Sequence, residues 1–161
     1  MITRTSAAAV LALAIAGTSV HAAGTASPSS TDAAIEQLRK DTRTEKTDVI
    51  AGTMEFTTDE AAKFWPLYKK YEAERQAIGN ENVALIKDFA ANFKALQDDK
   101  AKELLTKLVS VEDKTLAAKR QFVQELQKVL PAKTVARYYQ VDNRIDLLVN
   151  LELASQIPLV K

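Results

Sequence analysis

Apolar residues recur every three or four positions along most of the chain, which is the spacing of one face of an α-helix. Polar residues fill the positions between them, and no run of β-branched residues alternates with polar ones as it would in a half-buried strand. Gly and Pro are scarce, with four of each in 161 residues. The pattern therefore predicts an all-α fold of about four helices.

The first helix is predicted to begin near Thr31 or Asp32 and to end at Gly52, a residue that often terminates helices. Its apolar residues stand in two groups, and the stretch RKDTRTEKTD between them is polar all round. We therefore expect this helix to be interrupted or partly exposed.

The second helix has the clearest start signal, the segment TTDE at residues 57–60. It has the form of a capping box, in which the Thr57 hydroxyl accepts from the Glu60 amide and the Glu60 carboxylate accepts from the Thr57 amide. The apolar spacing continues through Gly79 to about Leu96, which favours one long helix over two helices joined at Gly79. Pro66 lies well past the first turn, so we expect the helix to be kinked there.

The polar connector at residues 97–100 is so short that the third helix must run antiparallel to the second. The third helix is predicted from about Lys100 to Val129. Two adjacent apolar columns on this helix make a wide face that is expected to pack in a bundle. The columns are Leu108, Thr115, Phe122 and Val129, and Val109, Leu116, Val123 and Leu130. A fourth helix is predicted from about Ala132 to Ser155, and its stretch IDLLVNLELA is expected to lie deep. The architecture predicted is a long antiparallel helical hairpin within a four-helix domain.

The N-terminus has the three parts of a secretory signal. Arg4 is followed by an apolar run at residues 7–17 and by the small-residue pattern Val20-His21-Ala22. The run is too short to cross a bilayer comfortably. We therefore predict a cleaved signal peptide at residues 1–23, a flexible leader at residues 24–31 and a single helical domain at residues 32–161. The mature protein is expected to be exported, with no stable membrane insertion.

Cleavage would remove the only His and lower the Lys and Arg count from 22 to 21, against 21 Asp and Glu; the chain has no Cys. This inventory lacks a Ser-His or Cys-His pair, a haem ligand and a Glu-x-x-His di-iron site. The carboxylate pairs Asp98-Asp99 and Asp142 with Asp146 are interpreted as solvated surface charge. A balanced charge gives no reason to expect a nucleic acid partner. We therefore predict a binding or structural protein with no catalytic residues, cofactor or metal; a carboxylate-based enzyme is the least favoured alternative.

Aromatic residues gather at two places, the second helix and the start of the fourth. Aromatic stripes at helical spacing are often core packing between helices. The alternative is a surface for unfolded or peptide-like clients, with basic side chains around the aromatic rings. The candidate client-binding residues are Phe64, Trp65, Tyr68, Lys69, Tyr71, Arg137, Tyr138 and Tyr139.

Three segments, MEFTTDEAAKFWPLYKKYEAER, LPAKTVARYYQVDNRI and LASQIPLV, together resemble the Spy/CpxP-like group of periplasmic proteins, which is named for LTxxQ motifs. The segment FTTDE at residues 56–60 is similar to the first motif, with Phe for Leu and Glu for Gln. LPAKT at residues 130–134 occupies the place of the second and keeps only its Leu. The likeness covers roughly residues 45–155 in layout, and the departures indicate a divergent branch.

The resemblance implies an all-helical periplasmic protein, often a cradle-shaped dimer, that binds unfolded clients or senses envelope stress. The first functional hypothesis is accordingly a chaperone-like or stress-associated binding protein, with unfolded or envelope proteins as partners and a homodimer as an allowed assembly. The second is a regulatory or scaffold partner of one specific envelope protein.

Overall fold

The computed structural model describes residues 28–160 and, within them, the side chains of residues 36, 37 and 39–160. This part of the chain forms four helices and no strand, so the predicted all-α class is confirmed. The helices are α1 at Pro28–Met54, α2 at Thr58–Asn92, α3 at Asp98–Gln127 and α4 at Ala132–Gln156, with a 3₁₀ turn at Phe93–Ala95 between α2 and α3. The predicted signal peptide at residues 1–23 and the first part of the predicted leader lie outside the described residues.

Helix α1 is continuous, and it begins at Pro28, inside the predicted leader. A proline fits the first turn of a helix because its missing N–H would have no intrahelical acceptor there. The helix also runs past Gly52, which we expected to end it, as far as Met54. The next residue, Glu55, has a φ of 50°. This left-handed conformation stops the helix, a task that glycine usually performs.

Helix α2 starts with the predicted capping box. The Glu60 amide donates to the Thr57 hydroxyl at 3.2 Å, and the Thr57 amide donates to the Glu60 carboxylate at 3.0 Å. The helix then continues for 35 residues through both Pro66 and Gly79. It is therefore one helix rather than two. Pro66 removes one backbone hydrogen bond and crowds the preceding turn, but it does not end α2; the kink expected there stays a prediction.

Helices α2 and α3 form the predicted antiparallel hairpin. The rings of Tyr71 and Phe122 stack at 4.4 Å, near the open end of the hairpin. Nearer the turn, the Lys114 ammonium lies 2.5 Å from the Glu81 carboxylate. Closer still, the Lys100 ammonium lies 2.8 Å from Asp88. Residues later in α2 therefore contact residues earlier in α3, which is the order expected of antiparallel helices.

Helix α3 buries a narrower face than the two columns predicted. Its buried residues are Leu104, Val111, Ala118, Lys119, Phe122 and Leu126. Leu108, Val109, Leu116 and Val129, from the predicted columns, are exposed instead. The apolar surface of α3 is wider than the side that faces α2, so part of it remains in contact with solvent.

The described residues divide into two compact units. The hairpin unit consists of residues 54–140 together with residue 160, and so contains α2, α3 and the first part of α4. The terminal unit joins residues 28–53 of α1 to residues 141–159, which include the rest of α4. Among residues 28–160, no helix is both long and apolar enough to cross a membrane.

The stretch IDLLVNLELA was expected to lie deep, and this prediction is wrong. Leu147, Leu148 and Leu151 are 69%, 69% and 70% exposed. The apolar residues of this part of α4 occupy opposite faces of the helix. On one face Asp142 pairs with Lys46 of α1, whereas the leucines on the other face remain exposed.

Candidate functional site

An aromatic cluster forms the centre of the hairpin unit. Phe64, Tyr68 and Tyr71 of α2, Phe122 of α3 and Tyr138 of α4 are all buried. The Tyr138 ring centroid lies 5.2 Å from that of Phe64 and 5.4 Å from that of Phe122. Since these contacts join three helices, the cluster fixes the start of α4 against the hairpin. Four of the candidate client-binding residues therefore pack in the core: Phe64, Tyr68, Tyr71 and Tyr138.

Trp65 lies at the border of this cluster and is partly exposed. Its ring meets Phe64 at 5.1 Å and Tyr68 at 5.6 Å, in both cases edge to face. Phe56, just before α2, is also partly exposed and packs 6.3 Å from Trp65. One side of the tryptophan is therefore held by buried rings, and the rest of it faces solvent.

One cationic side chain and one ion pair lie close in sequence to Trp65 and Phe56. Lys69 is exposed and follows Trp65 by one helical turn, so the two side chains share a face of α2. The Arg137 guanidinium lies 3.2 Å from the carboxylate of Glu55, the residue next to Phe56. We call the set Phe56, Trp65, Lys69 and Arg137 the Trp65 edge. It combines exposed aromatic surface with positive charge.

Tyr139 lies apart from the Trp65 edge. It is 41% exposed and makes no ring contact with another described aromatic residue. The Lys119 ammonium sits 5.1 Å from the Tyr139 ring centroid, within the range of a cation–π contact. Lys119 is only 7% exposed, so its aliphatic stem is packed while its charge reaches the ring. The sequence could not indicate this pair, because the two residues belong to different helices.

The start of α2 is tied to the start of α4 by a hydrogen bond that the sequence did not reveal. The Thr134 hydroxyl donates to the second carboxylate oxygen of Glu60 at 2.8 Å. The bond from the Thr57 amide, followed by that from Thr134, lowers the pKa of Glu60 below its ordinary value of 4.5. Segments 56–60 and 130–134, which carry the resemblance to LTxxQ motifs, are therefore in direct contact.

The terminal unit contains a buried ion cluster at Asp142 and Asp146, which we predicted to be solvated surface charge; the other predicted pair, Asp98 and Asp99, is exposed. The Lys46 ammonium lies 2.8 Å from Asp142 and 3.4 Å from Asp146. The side chains of Asp142 and Lys46 are 0% and 10% exposed. Residues four apart share a helix face, so both carboxylates reach the same lysine of α1. Among the described residues no group of acidic side chains or histidines is arranged to hold a metal ion.

Comparison of the chain with protein-family models, curated proteins and solved structures finds no match. The Spy/CpxP-like resemblance thus stays a prediction, and the chain's own surfaces carry the functional argument. At the Trp65 edge the Phe56 and Trp65 rings pack together, and Arg137 of α4 pairs with Glu55, the residue before Phe56. The arrangement suits contact with another polypeptide.

Proposed function

We propose that the protein is an exported, periplasmic, non-enzymatic binding protein that works without a cofactor. In this proposal it is chaperone-like or associated with envelope stress, and it holds unfolded or peptide-like clients at the Trp65 edge. It would represent a divergent branch of the Spy/CpxP-like group. The observation that supports the proposal most is the partly exposed Trp65 ring, which is braced by buried aromatic residues and has Lys69 one helical turn away.

The bracing matters because binding costs less when the contacting group is already ordered. Phe64 and Tyr68 hold the Trp65 ring from behind, so the ring loses little freedom when a client covers its exposed part. Unfolded chains expose apolar side chains that this ring can cover. Lys69 adds long-range attraction for acidic segments, whereas the charge of Arg137 is balanced by Glu55. The buried rings of the aromatic cluster support the site without touching the client.

Suppression of client aggregation by the purified protein tests this proposal. Wild type is expected to suppress aggregation of an unfolding client at near-stoichiometric ratios. Trp65→Ala should weaken client binding about tenfold or more, since a partly buried tryptophan is a typical binding hot spot. Lys69→Glu should weaken binding of an acidic client more than that of a basic one. This second variant leaves the aromatic packing untouched, so its effect cannot come from misfolding.

Tyr139→Ala is the matched control, because it removes an exposed aromatic side chain outside the Trp65 edge. Circular dichroism establishes that each variant keeps its helices. Equal loss of suppression in Trp65→Ala and Tyr139→Ala would contradict a specific role for the Trp65 edge. Absence of suppression by wild type, together with capture of one envelope protein in a defined complex, would favour the regulatory or scaffold function instead.

A further inference from the structure

Helix α3 has a charged side and a mainly apolar side. On the charged side, Lys107 pairs with Asp88 of α2, and Lys114 pairs with Glu81. Successive residues of a helix are rotated by about 100°, so residues two apart point to nearly opposite sides. The residues two positions before and after each of these lysines, with one neighbour between them, form the other side of α3. They are Leu105, Leu108, Val109, Glu112 and Leu116, and we call them the Glu112 seam.

The Glu112 seam is in contact with solvent. Its four apolar side chains are between 40% and 61% exposed, and Glu112 is exposed as well. No basic side chain pairs with Glu112 within the part of the chain whose side chains the structure describes. Exposed apolar side chains grouped on one helix face are typical of an interaction surface. The carboxylate gives this surface a charge that a partner has to match.

At its C-terminal end the seam continues into a face of α3 that a helix already covers. Lys119 follows Leu116 by three residues and Glu112 by seven, so it lies on the same side of α3. Lys119 is buried, and its ammonium sits 5.1 Å from the ring centroid of Tyr139 in α4. The first part of α4 therefore packs, within the hairpin unit, on the face of α3 that carries the seam. A further helix placed on the seam would extend a helix-packing surface that the fold already uses.

We infer that the Glu112 seam binds an amphipathic helix of another protein, one that carries Lys or Arg in the middle of its apolar face. From Leu105 to Leu116 the seam runs about 16 Å, so it accommodates about three turns of a partner helix. The leucines cover the partner's apolar side chains, and Glu112 pairs with the basic residue near the centre of the contact. A fully apolar helix would bury the Glu112 carboxylate without a partner, which is unfavourable. The charge thus selects among helices that the leucines alone would accept.

A second copy of the chain and a membrane surface fit the seam less well. Glu112 lies near the middle of the seam, so two facing seams would bring their Glu112 carboxylates close together in either orientation. Helices that lie on anionic membranes carry many Lys and Arg residues beside their apolar face. Glu112 and the neighbouring Asp113 place negative charge there instead.

Two labelled synthetic helical peptides of about 20 residues test the inference. They share one leucine face and differ only in the residue at its centre, which is Lys in the first peptide and Glu in the second. Fluorescence anisotropy measures their binding to the purified protein. The Lys peptide should bind with a dissociation constant in the micromolar range, because the contact is smaller than the roughly 800 Å² per partner of a standard stable interface. The Glu peptide should bind at least about tenfold more weakly.

Charge exchange on the protein gives a sharper readout. Glu112→Lys should reverse the preference, so that the Glu peptide binds more tightly than the Lys peptide. Asp113→Lys is the matched control, because it makes the same change in charge at an exposed residue that points about 100° away from Glu112. This control should leave the preference for the Lys peptide in place. Leu116→Gln should weaken both peptides by the same factor, since it removes apolar contact without changing charge. Circular dichroism establishes that each variant keeps its helices.

Three results would overturn the inference. The first is that neither peptide binds at concentrations far above the micromolar range. The second is a change of preference in Asp113→Lys as large as that in Glu112→Lys, which would reduce the effect to the general charge of α3. The third is dimerisation in sedimentation equilibrium, or co-sedimentation with phosphatidylglycerol vesicles, that Leu116→Gln abolishes; either would assign the seam to a second copy or to a membrane. The seam shares no residue with the Trp65 edge, so the absence of client binding would leave this test unaffected.

Discussion

Replacing Lys46 with Met would leave the Asp142 carboxylate buried without its ammonium partner. The two charged atoms lie 2.8 Å apart, and the Asp142 side chain has no exposed surface. Breaking such a pair by removing one partner typically costs about 3–5 kcal/mol, because the remaining charge cannot be hydrated. We therefore expect Lys46→Met to lower the free energy of unfolding by an amount in this range.

Replacing the other member of the pair, Asp142, is expected to lower the free energy of unfolding less. In Asp142→Leu the lysine keeps Asp146, whose carboxylate lies 3.4 Å away and is 22% exposed. The double variant K46M/D142L leaves no buried charge from this pair, and such replacements are often neutral or stabilising. We expect it to lie within about 1 kcal/mol of wild type or above it. The double-mutant cycle should then give a coupling energy of at least about 2 kcal/mol.

Urea unfolding followed by far-UV circular dichroism measures these differences, because both units are helical. Lys114→Met is the matched control, since it makes the same change in a pair with Glu81 whose side chains are both half-exposed. Such exposed pairs contribute about 0–1 kcal/mol. Two results would refute the reasoning. One is that Lys46→Met lowers the free energy of unfolding by less than about 1 kcal/mol. The other is that the double variant loses as much free energy of unfolding as the two single variants together.

Two further predictions concern the ends of α1 and α2. Glu55→Gly should stabilise the protein by up to about 1 kcal/mol, because glycine tolerates the left-handed conformation and the exposed pair with Arg137 contributes little. A loss of stability in thermal unfolding, with Arg137→Ala as the control for the ion pair, would contradict this. Glu60→Gln keeps the capping geometry but removes a carboxyl whose pKa is lowered by the Thr57 amide. The loss of stability that it causes should be present above about pH 4.5 and should shrink as the pH falls through the lowered folded-state pKa of Glu60. A loss that stays constant throughout acidification would refute the assignment.

The features that the sequence predicted correctly depend on neighbouring residues. The capping box at Thr57 and Glu60 involves residues three apart, and the antiparallel hairpin follows from a short connector between two helices. Glu55 was missed as the stop for α1, because left-handed glutamate is uncommon and Gly52 carried the usual signal.

The features that the sequence missed depend on residues far apart in the chain. Asp142 and Asp146 appeared to be solvated charge because nothing in their neighbourhood indicated Lys46, about a hundred positions earlier. The leucines of α4 appeared to be core because hydrophobic spacing does not say which side another helix covers. The sequence did not decide whether the aromatic residues lie in the core or on the surface. In the structure both occur: Phe64 is buried, while Trp65 is partly exposed.

The terminal unit is made of two segments that lie far apart in the sequence, and this has a consequence for the order of folding. Residues 54–140 are continuous, so the hairpin unit can form as soon as they have been made. The α1 part of the terminal unit has to wait until Asp142 and Asp146 arrive to meet Lys46. Closing that long loop is cheaper once the intervening hairpin is compact. We therefore expect pulsed hydrogen exchange during refolding to protect the amides of α2 and α3 before those of α1, and the reverse order would show that the two ends of the chain find each other first.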